Sequence, residues 1–346
     1  MNNPDPGLNI GQQKKIIFSG IQPTGTPTLG SLIGALKNWS MLSAEYDCLF
    51  CSVDLHSISV RHDPEDLRRF SRELIAWYIA VGLDPVENIL YIQSHVPAHA
   101  ELSWILGCYT YLGELNRMTQ YKEKSARHVE NINAGLYTYP VLQAADILLY
   151  QTDLVPVGED QRQHLELSRD IAQRFNQLYG DIFTMPEAYI GKVGARIMGL
   201  QVPDKKMSKS EGDNENNLVY LSDAPEQILK KFKRAVTDSD STVRFAAEEK
   251  PGISNLLSIY TSVTGKTIAE SEADFTGVGY GGFKTAVGEA VVDYLAPVQK
   301  KFKEVIDDKS YLDNVIKEGA SRARLRAEVT LEKVKDAIGF QMVCKG

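Results

Sequence analysis

The stretch Pro203-Asp-Lys-Lys-Met-Ser-Lys-Ser-Glu-Gly212 crowds cations and hydroxyl donors between chain breakers. Together Lys206, Ser208, Lys209 and Ser210 offer charge-assisted hydrogen bonds to several phosphate oxygens, whereas any one of these lysines alone reads as a solvated surface residue. A second stretch, Gly158-Glu159-Asp160-Gln161, follows an expected short strand at 154–157 and opens a helix. Its free amides and carboxylate suit ribose hydroxyls, with an acidic helix cap as the plain alternative. Asp146 stands inside the apolar run Ala144-Ala-Asp-Ile-Leu-Leu-Tyr150. An unpaired carboxylate there is costly, so it must meet a donor, either a buried arginine or a ligand.

Residues so far apart in the chain need a scaffold that gathers loops. Residues 14–20 read as a buried strand running into the glycine-rich loop Gly20-Ile-Gln-Pro-Thr-Gly-Thr-Pro-Thr28. A helix starts near Leu29, with Leu32, Leu36, Trp39 and Leu42 at helical spacing, and 47–53 forms the next strand. Asp63-Pro64-Glu65 caps a second helix that carries Leu67, Phe70, Leu74, Trp77 and Tyr78 on one side and stops at Gly82. Asn88 to Gln93 makes a further strand. This β-α alternation predicts an α/β fold: a Rossmann-like, doubly wound parallel sheet that binds ligands beyond the carboxyl ends of its strands. The expected organisation is an N-terminal extension at 1–13, a catalytic domain at 14–222 with a helical insertion at about 97–140, and a helical C-terminal domain at 223–346. A glycine-rich break is expected there at Thr276 to Phe283.

Composition narrows the function classes. The formal charge of -7, from 45 acidic and 38 basic residues, excludes a general nucleic-acid binder and confines any RNA contact to local patches. Candidates are Lys230, Lys231, Lys233 and Arg234, and Arg322, Arg324 and Arg326, with solvated helix faces as the alternative. No apolar run reaches the roughly 18 residues of a membrane span, and the polar start carries no signal segment, so a cytoplasmic protein is expected. Of the four cysteines only Cys48 and Cys51 have metal-like spacing. Both lie in an expected strand, where residues three apart face opposite ways, so no protein-held metal is expected.

Lys206-Met-Ser-Lys-Ser210 is the signature pentapeptide of class I aminoacyl-tRNA synthetases, and Thr28-Leu-Gly-Ser31 resembles their second signature, usually His-Ile-Gly-His. Phe18-Ser-Gly-Ile-Gln-Pro-Thr-Gly25, Gly113-Glu-Leu-Asn-Arg-Met-Thr-Gln120, the Asp146 block and Val157-Gly-Glu-Asp-Gln161 resemble bacterial tryptophanyl-tRNA synthetases, in order, across roughly 14–340. The resemblance implies ATP-dependent activation of L-tryptophan to the adenylate, then transfer to tRNA(Trp). It implies ATP contacts from Gln22, Pro23, Thr24, Thr28, Gly30, Ser31, Gly158, Glu159, Asp160, Ile197, Lys206, Met207, Ser208, Lys209 and Ser210. Lys206, Ser208, Lys209 and Lys124 would carry catalysis by stabilising the departing pyrophosphate, with Mg²⁺ bound mainly through the ATP phosphates.

The same resemblance sets the indole N–H of tryptophan against Asp146, in a pocket formed by Phe18, Gly20, His56, Tyr139, Gln143, Val155, Val157 and Gln161. It also implies an anticodon-binding role for the helical domain and a homodimer, for which the aromatic stretch Tyr109 to Met118 offers an interface; no DNA or membrane partner is expected. Two positions depart from the family pattern: Gln143 replaces a common Met, and Ser31 stands where Asn or His is usual. A tyrosine-specific enzyme, a regulatory paralogue that no longer charges tRNA, and a nucleotidyltransferase without tRNA remain as rivals. The Asp146 and Gly158 blocks disfavour the first, and the long helical C-terminal region the last.

Overall fold

The computed structural model describes residues 14–120, 132–158, 161–189, 196–208 and 214–341. Its centre is a parallel sheet of β1 (Ile16–Ile21), β2 (Asp47–Ser52), β3 (Ile89–Ile92), β4 (Leu154–Val155) and β5 (Glu187–Ala188), in the order β3-β2-β1-β4-β5. Register is set by pairs such as Phe18 with Leu49, Gly20 with Cys51 and Leu49 with Ile89, and by Ile17 with Leu154. The chain winds outward from β1 to β3 and then crosses to the other side of β1, so the winding reverses between β1 and β4. In an open α/β sheet that reversal opens a crevice at the carboxyl ends of the two strands.

Both faces are covered, as near-continuous apolar strands require. Alternation along the strands sends Ile17, Cys48, Phe50 and Leu90 to one core, and Phe18, Leu49, Cys51, Ile89 and Tyr91 to the other. Cys48 and Cys51 thus lie on opposite faces, both free and buried, and burial pushes the Cys48 thiol up to about 12. This is the behaviour of small hydrophobes rather than ligands.

The first core is closed by α1, a continuous helix formed by Leu29–Ser31, Leu32–Leu36 and Lys37–Glu45, and by α2 (Pro64–Ala80). Asp63 caps α2 by accepting from Glu65 N and Asp66 N, with Pro64 opening the helix. The second core is closed by α3 (Ala98–Gly107), α4 (Leu112–Asn116), α5 (Ala134–Leu148) and α6 (Arg162–Tyr179).

The C-terminal region contributes α7 (Pro225–Lys233), α8 (Pro251–Thr264), α9 (Ile268–Asp274), α10 (Tyr280–Asp307) and α11 (Lys309–Ala337). Only Phe275–Gly279 interrupts α9 and α10, a shorter break than expected, because Gly281 and Gly282 are absorbed into the first turn of α10. These helices share the first core with the sheet: Trp77 of α2 stacks on Phe302 of α10 at 3.8 Å, and Phe232, Phe283 and Val287 join the same cluster. The last helix crosses the open edge of β3. Its Leu312, Val315 and Ile316 enter the first core, and its Ala323, Ala327 and Leu331 the second. The crossing is close enough that a Cβ on Gly319 would sit 1.8 Å from the Leu90 carbonyl oxygen. An exposed strand edge is thereby sealed by a helix.

Candidate active site

Loops from the carboxyl ends of β1 and β4 flank the crevice. After β1, Gln22, Pro23 and Thr24 form a turn in which Thr24 N donates to Gln22 O at 2.9 Å, and Gly25 adopts φ +127°, a conformation costly for residues with a Cβ. Thr28 then caps α1: its Oγ1 accepts from Ser31 N at 3.2 Å and lies 3.2 Å from Ser31 Oγ. The serine in place of the usual Asn or His is therefore part of the cap. Gly20 has no room for a side chain, since a Cβ there would approach Val53 Cγ1 to 2.7 Å. On the β4 side Val155 is buried, Val157 is half-buried, and Gly158 is exposed and accepts from Gln161 N at 3.0 Å.

The basic signature is carried on a backbone hairpin. Met207 N donates to Ile197 O at 2.9 Å and Gly199 N to Lys205 O at 2.8 Å, with Met198 bridging to Lys206. Asn217 Oδ1 accepts from Gln201 N and Val202 N, and Asn255 of α8 brackets Met198, accepting from its N at 2.8 Å and donating to its O at 2.9 Å. The two signatures meet directly. Gly30 packs on Met207, which is 1% exposed, and a Cβ at Gly30 would fall 2.9 Å from Met207 O and 3.1 Å from its Cβ. Behind this contact Leu29 N donates to Val219 O, and Leu221 N to Pro27 O. Lys206 faces solvent and Ser208 is half-exposed beside it. Lys124, Glu159, Asp160, Lys209 and Ser210, all expected at the nucleotide, lie outside the described residues.

Asp146 sits on α5 and is 2% exposed. Its donors are not the buried arginine weighed from sequence. Oδ2 accepts from His56 Nε2 at 2.7 Å, and Oδ1 accepts from Gln93 Nε2 at 2.6 Å and from His99 Nδ1 at 2.7 Å. His99 Nε2 in turn lies 2.9 Å from Tyr150 OH and 3.1 Å from Tyr91 OH. Burial alone pushes the Asp146 carboxyl up, but His56 and then His99 outweigh it and hold the group below its ordinary range.

Phe18 stacks on Tyr150 at 5.9 Å, and Tyr139 presents an edge to His56 at 6.4 Å while its hydroxyl lies 2.9 Å from His164 Nε2. Gln143 does not reach Asp146: its Nε2 donates to Gln161 Oε1 at 3.2 Å, joining two expected pocket residues to each other. Gln93, His99, Tyr91 and Tyr150 were missed by sequence reasoning. Gln93 directly follows β3 and His99 starts the next helix, so the rule that ligands gather beyond parallel strands was the available signal.

Several candidate RNA contacts are used inside the molecule. Lys231 is buried and bonded to Asp223 Oδ2 at 2.5 Å. Arg322 donates to the Pro85 and Asn88 carbonyls, Arg324 to His95 O, and Arg326 pairs with Asp47 at 2.8 Å. By contrast Lys230, Lys233 and Arg234 are exposed and line a groove of about 430 Å³ with Glu226 and Leu229. Among the described residues no three His, Cys, Asp or Glu side chains are grouped to hold a metal ion, and no helix is long and apolar enough to cross a membrane.

Residues 11–296 match the family model described as tRNA synthetases class I (W and Y). The chain is similar to the tryptophan–tRNA ligase of Clostridium tetani (strain Massachusetts / E88), 55% identical over 334 residues that span 96% of this chain and 98% of that protein. Among solved structures it is similar to tryptophanyl-tRNA synthetase from Mycoplasma pneumoniae, with TM-score 0.87 and 36% identity over 95% of this chain and 99% of that one. It is also similar to the Campylobacter jejuni tryptophanyl-tRNA synthetase complexed with ADP and tryptophan, with TM-score 0.81 and 31% identity over 94% and 100%.

Proposed function

The chain belongs to the class I tRNA synthetases for tryptophan and tyrosine, and we propose on that footing that it activates L-tryptophan with ATP and transfers it to the terminal adenosine of tRNA(Trp). It is an aminoacyl-tRNA synthetase, a tryptophan–tRNA ligase that releases AMP and diphosphate. The observation that carries the reading is the contact of Gly30 with Met207, which joins the two nucleotide signatures in one site. Selection of tryptophan is supported by Asp146, a buried carboxylate whose three protein donors leave one of its roughly four acceptor positions for an indole N–H.

In the first step the tryptophan carboxylate attacks the α-phosphorus of ATP in line. Such chemistry rests on positioning and on stabilising charge as pyrophosphate departs. Lys206 and Ser208 hold phosphate oxygens, with Lys209, Ser210 and Lys124 assigned the same work. The loop Gln22–Thr24 and the turn at Gly30 and Ser31 line the adenosine, with Ile197 beside it and Gly158, Glu159 and Asp160 at the ribose. Mg²⁺ bound through the ATP phosphates would supply further neutralisation of their charge, beside Lys206 and Ser208. Phe18, Gly20, His56, Tyr139, Val155 and Val157 enclose the indole, and Gln161, braced by Gln143, faces the substrate ammonium.

Asn255 and the bond from Val236 N to Leu200 O tie the hairpin to the helical region, so closure over ATP moves that region with it. Residues 223–346 serve as the anticodon-binding domain, with Lys230, Lys233 and Arg234 as the phosphate-contacting face. Two copies associate through the exposed apolar surface of Trp104, Tyr111 and Leu112, and the enzyme works in the cytoplasm.

ATP–pyrophosphate exchange with tryptophan, tyrosine and phenylalanine, followed by charging of matched tRNA transcripts, tests the reading. Exchange and charging with tryptophan alone are expected. Exchange driven by tyrosine, or exchange without charging, would overturn it in favour of the tyrosine enzyme or the regulatory paralogue.

A further inference from the structure

We propose that Gln93 is a specificity-determining positioning residue that makes Asp146 a fixed, acceptor-only partner for an indole N–H. The inference rests on the proposed role of Asp146. Gln93 is fully buried and opens the turn Gln93–His95 just beyond β3. Its amide orientation follows from chemistry: the backbone N–H of Leu55 points at Oε1 over 3.1 Å and can only donate, so that end is the oxygen. The other end, Nε2, therefore faces Asp146 Oδ1 at 2.6 Å and can only donate to it.

With His99 Nδ1 on the same oxygen, Oδ1 is filled. Only Oδ2, shared with His56, keeps an acceptor position. A carboxyl group held by three donors and shifted toward ionisation cannot offer a proton, so it rewards an N–H in the ligand and gives nothing to an isostere that lacks one.

The turn that carries Gln93 is held from two sides. Asp54 accepts from Ser94 N at 2.9 Å and from Ser94 Oγ, which ties the loop after β2, bearing Leu55 and His56, to the loop after β3. Arg324 of α11 donates to His95 O at 2.7 Å from the other flank. The acceptor end of the pocket is thus aligned by a residue that need not touch tryptophan.

The test compares tryptophan with benzothienylalanine, in which sulfur replaces the indole N–H, by ATP–pyrophosphate exchange in the full-length enzyme. Gln93→Met removes the donor at similar volume. It is expected to raise KM for tryptophan by about 10-fold or more while kcat and the KM for ATP stay within about 2-fold. Because benzothienylalanine does not use the acceptor, its kcat/KM stays within about 3-fold, and the preference for tryptophan shrinks accordingly.

Gln93→Glu keeps an acceptor for Leu55 N–H but sets a second carboxyl group against Asp146. Its KM for tryptophan should rise more steeply than the parent's from about pH 6 to about pH 8, as the shared proton is lost. Should neither variant fold, Asp54→Asn, which loosens the turn and leaves Gln93 in place, should shrink the same preference by about 3-fold. An equal fall for both substrates, or an unchanged preference in the folded variants, overturns the role of Gln93 alone. A parent enzyme that shows no tryptophan-dependent exchange overturns the proposed function with it.

Discussion

The amino-acid end and the nucleotide end of the crevice are built from opposite materials. Around Asp146 the contacts are side chain to side chain, buried and charge-assisted: His56, Gln93 and His99 on the carboxylate, with Tyr91 and Tyr150 behind His99. Around the basic signature they run to backbone atoms: the Ile197–Met207 hairpin, the bonds between Leu29 and Val219 and between Leu221 and Pro27, and the Asn217 and Asn255 side chains on main-chain groups. There Lys206 is left facing solvent. A buried network that leaves one acceptor position open on Asp146 selects by refusing ligands that cannot fill it. A backbone frame with exposed cations selects little, but it delivers charge to a group whose geometry changes during the reaction.

The comparison predicts separable kinetic effects. Asp146→Ala should cost the most, lowering kcat/KM for tryptophan by about 10⁴-fold with the KM for ATP nearly unchanged, as measured by exchange kinetics. A comparable rise in the ATP constant would merge the two ends into one coupled site. Lys206→Ala should lower the adenylation rate by about 10²-fold to 10³-fold in single-turnover measurements, and leave the tryptophan KM close to that of the parent.

Gly30→Ala introduces a Cβ 2.9 Å from Met207 O, so either the hairpin or α1 must shift. A fall in kcat of about 10-fold to 10²-fold is expected, because small misplacements of reacting groups are costly, and an unaltered kcat would show the contact to be incidental.

The smallest effect concerns pH. The Asp146 carboxyl is held below the ordinary 3.8 despite its burial. The unfolded chain therefore takes up this proton first as the pH falls. The stability that Asp146 confers is complete above its unfolded value and is lost as pH falls through the depressed folded value. Urea unfolding from about pH 5 down to about pH 3 should show a steeper loss for the parent than for Asp146→Asn. Parallel curves would mean that the histidines do not favour the ionised form.

Much of the fold was legible because its signals are local. Capping by Asp63 and Pro64, the helical spacing of Leu32, Leu36 and Trp39, and the strand around Cys48 and Cys51 are all written within a few residues. The two-residue strand Glu187–Ala188 was not, since so short a segment has no periodicity. Nor was the site of Arg322, Arg324 and Arg326. Sequence alone reads them as solvated helix residues, yet they clamp backbone carbonyls and Asp47 because α11 seals the edge of β3. The destination of Lys231 was hidden for the same reason: Asp223 and the packing of α7 decide it.

The sequence by itself determined the chemistry on offer: a phosphate-binding run at Lys206 to Ser210, a glycine-bearing turn at Gly30, and a carboxylate, Asp146, too costly to bury without donors. Tertiary structure decided which donors those are. A carboxylate states that partners are required but not where they come from. His56 from the loop after β2, Gln93 from the turn after β3 and His99 from α3 converge on α5 because parallel strands direct their following loops to the same end of the sheet.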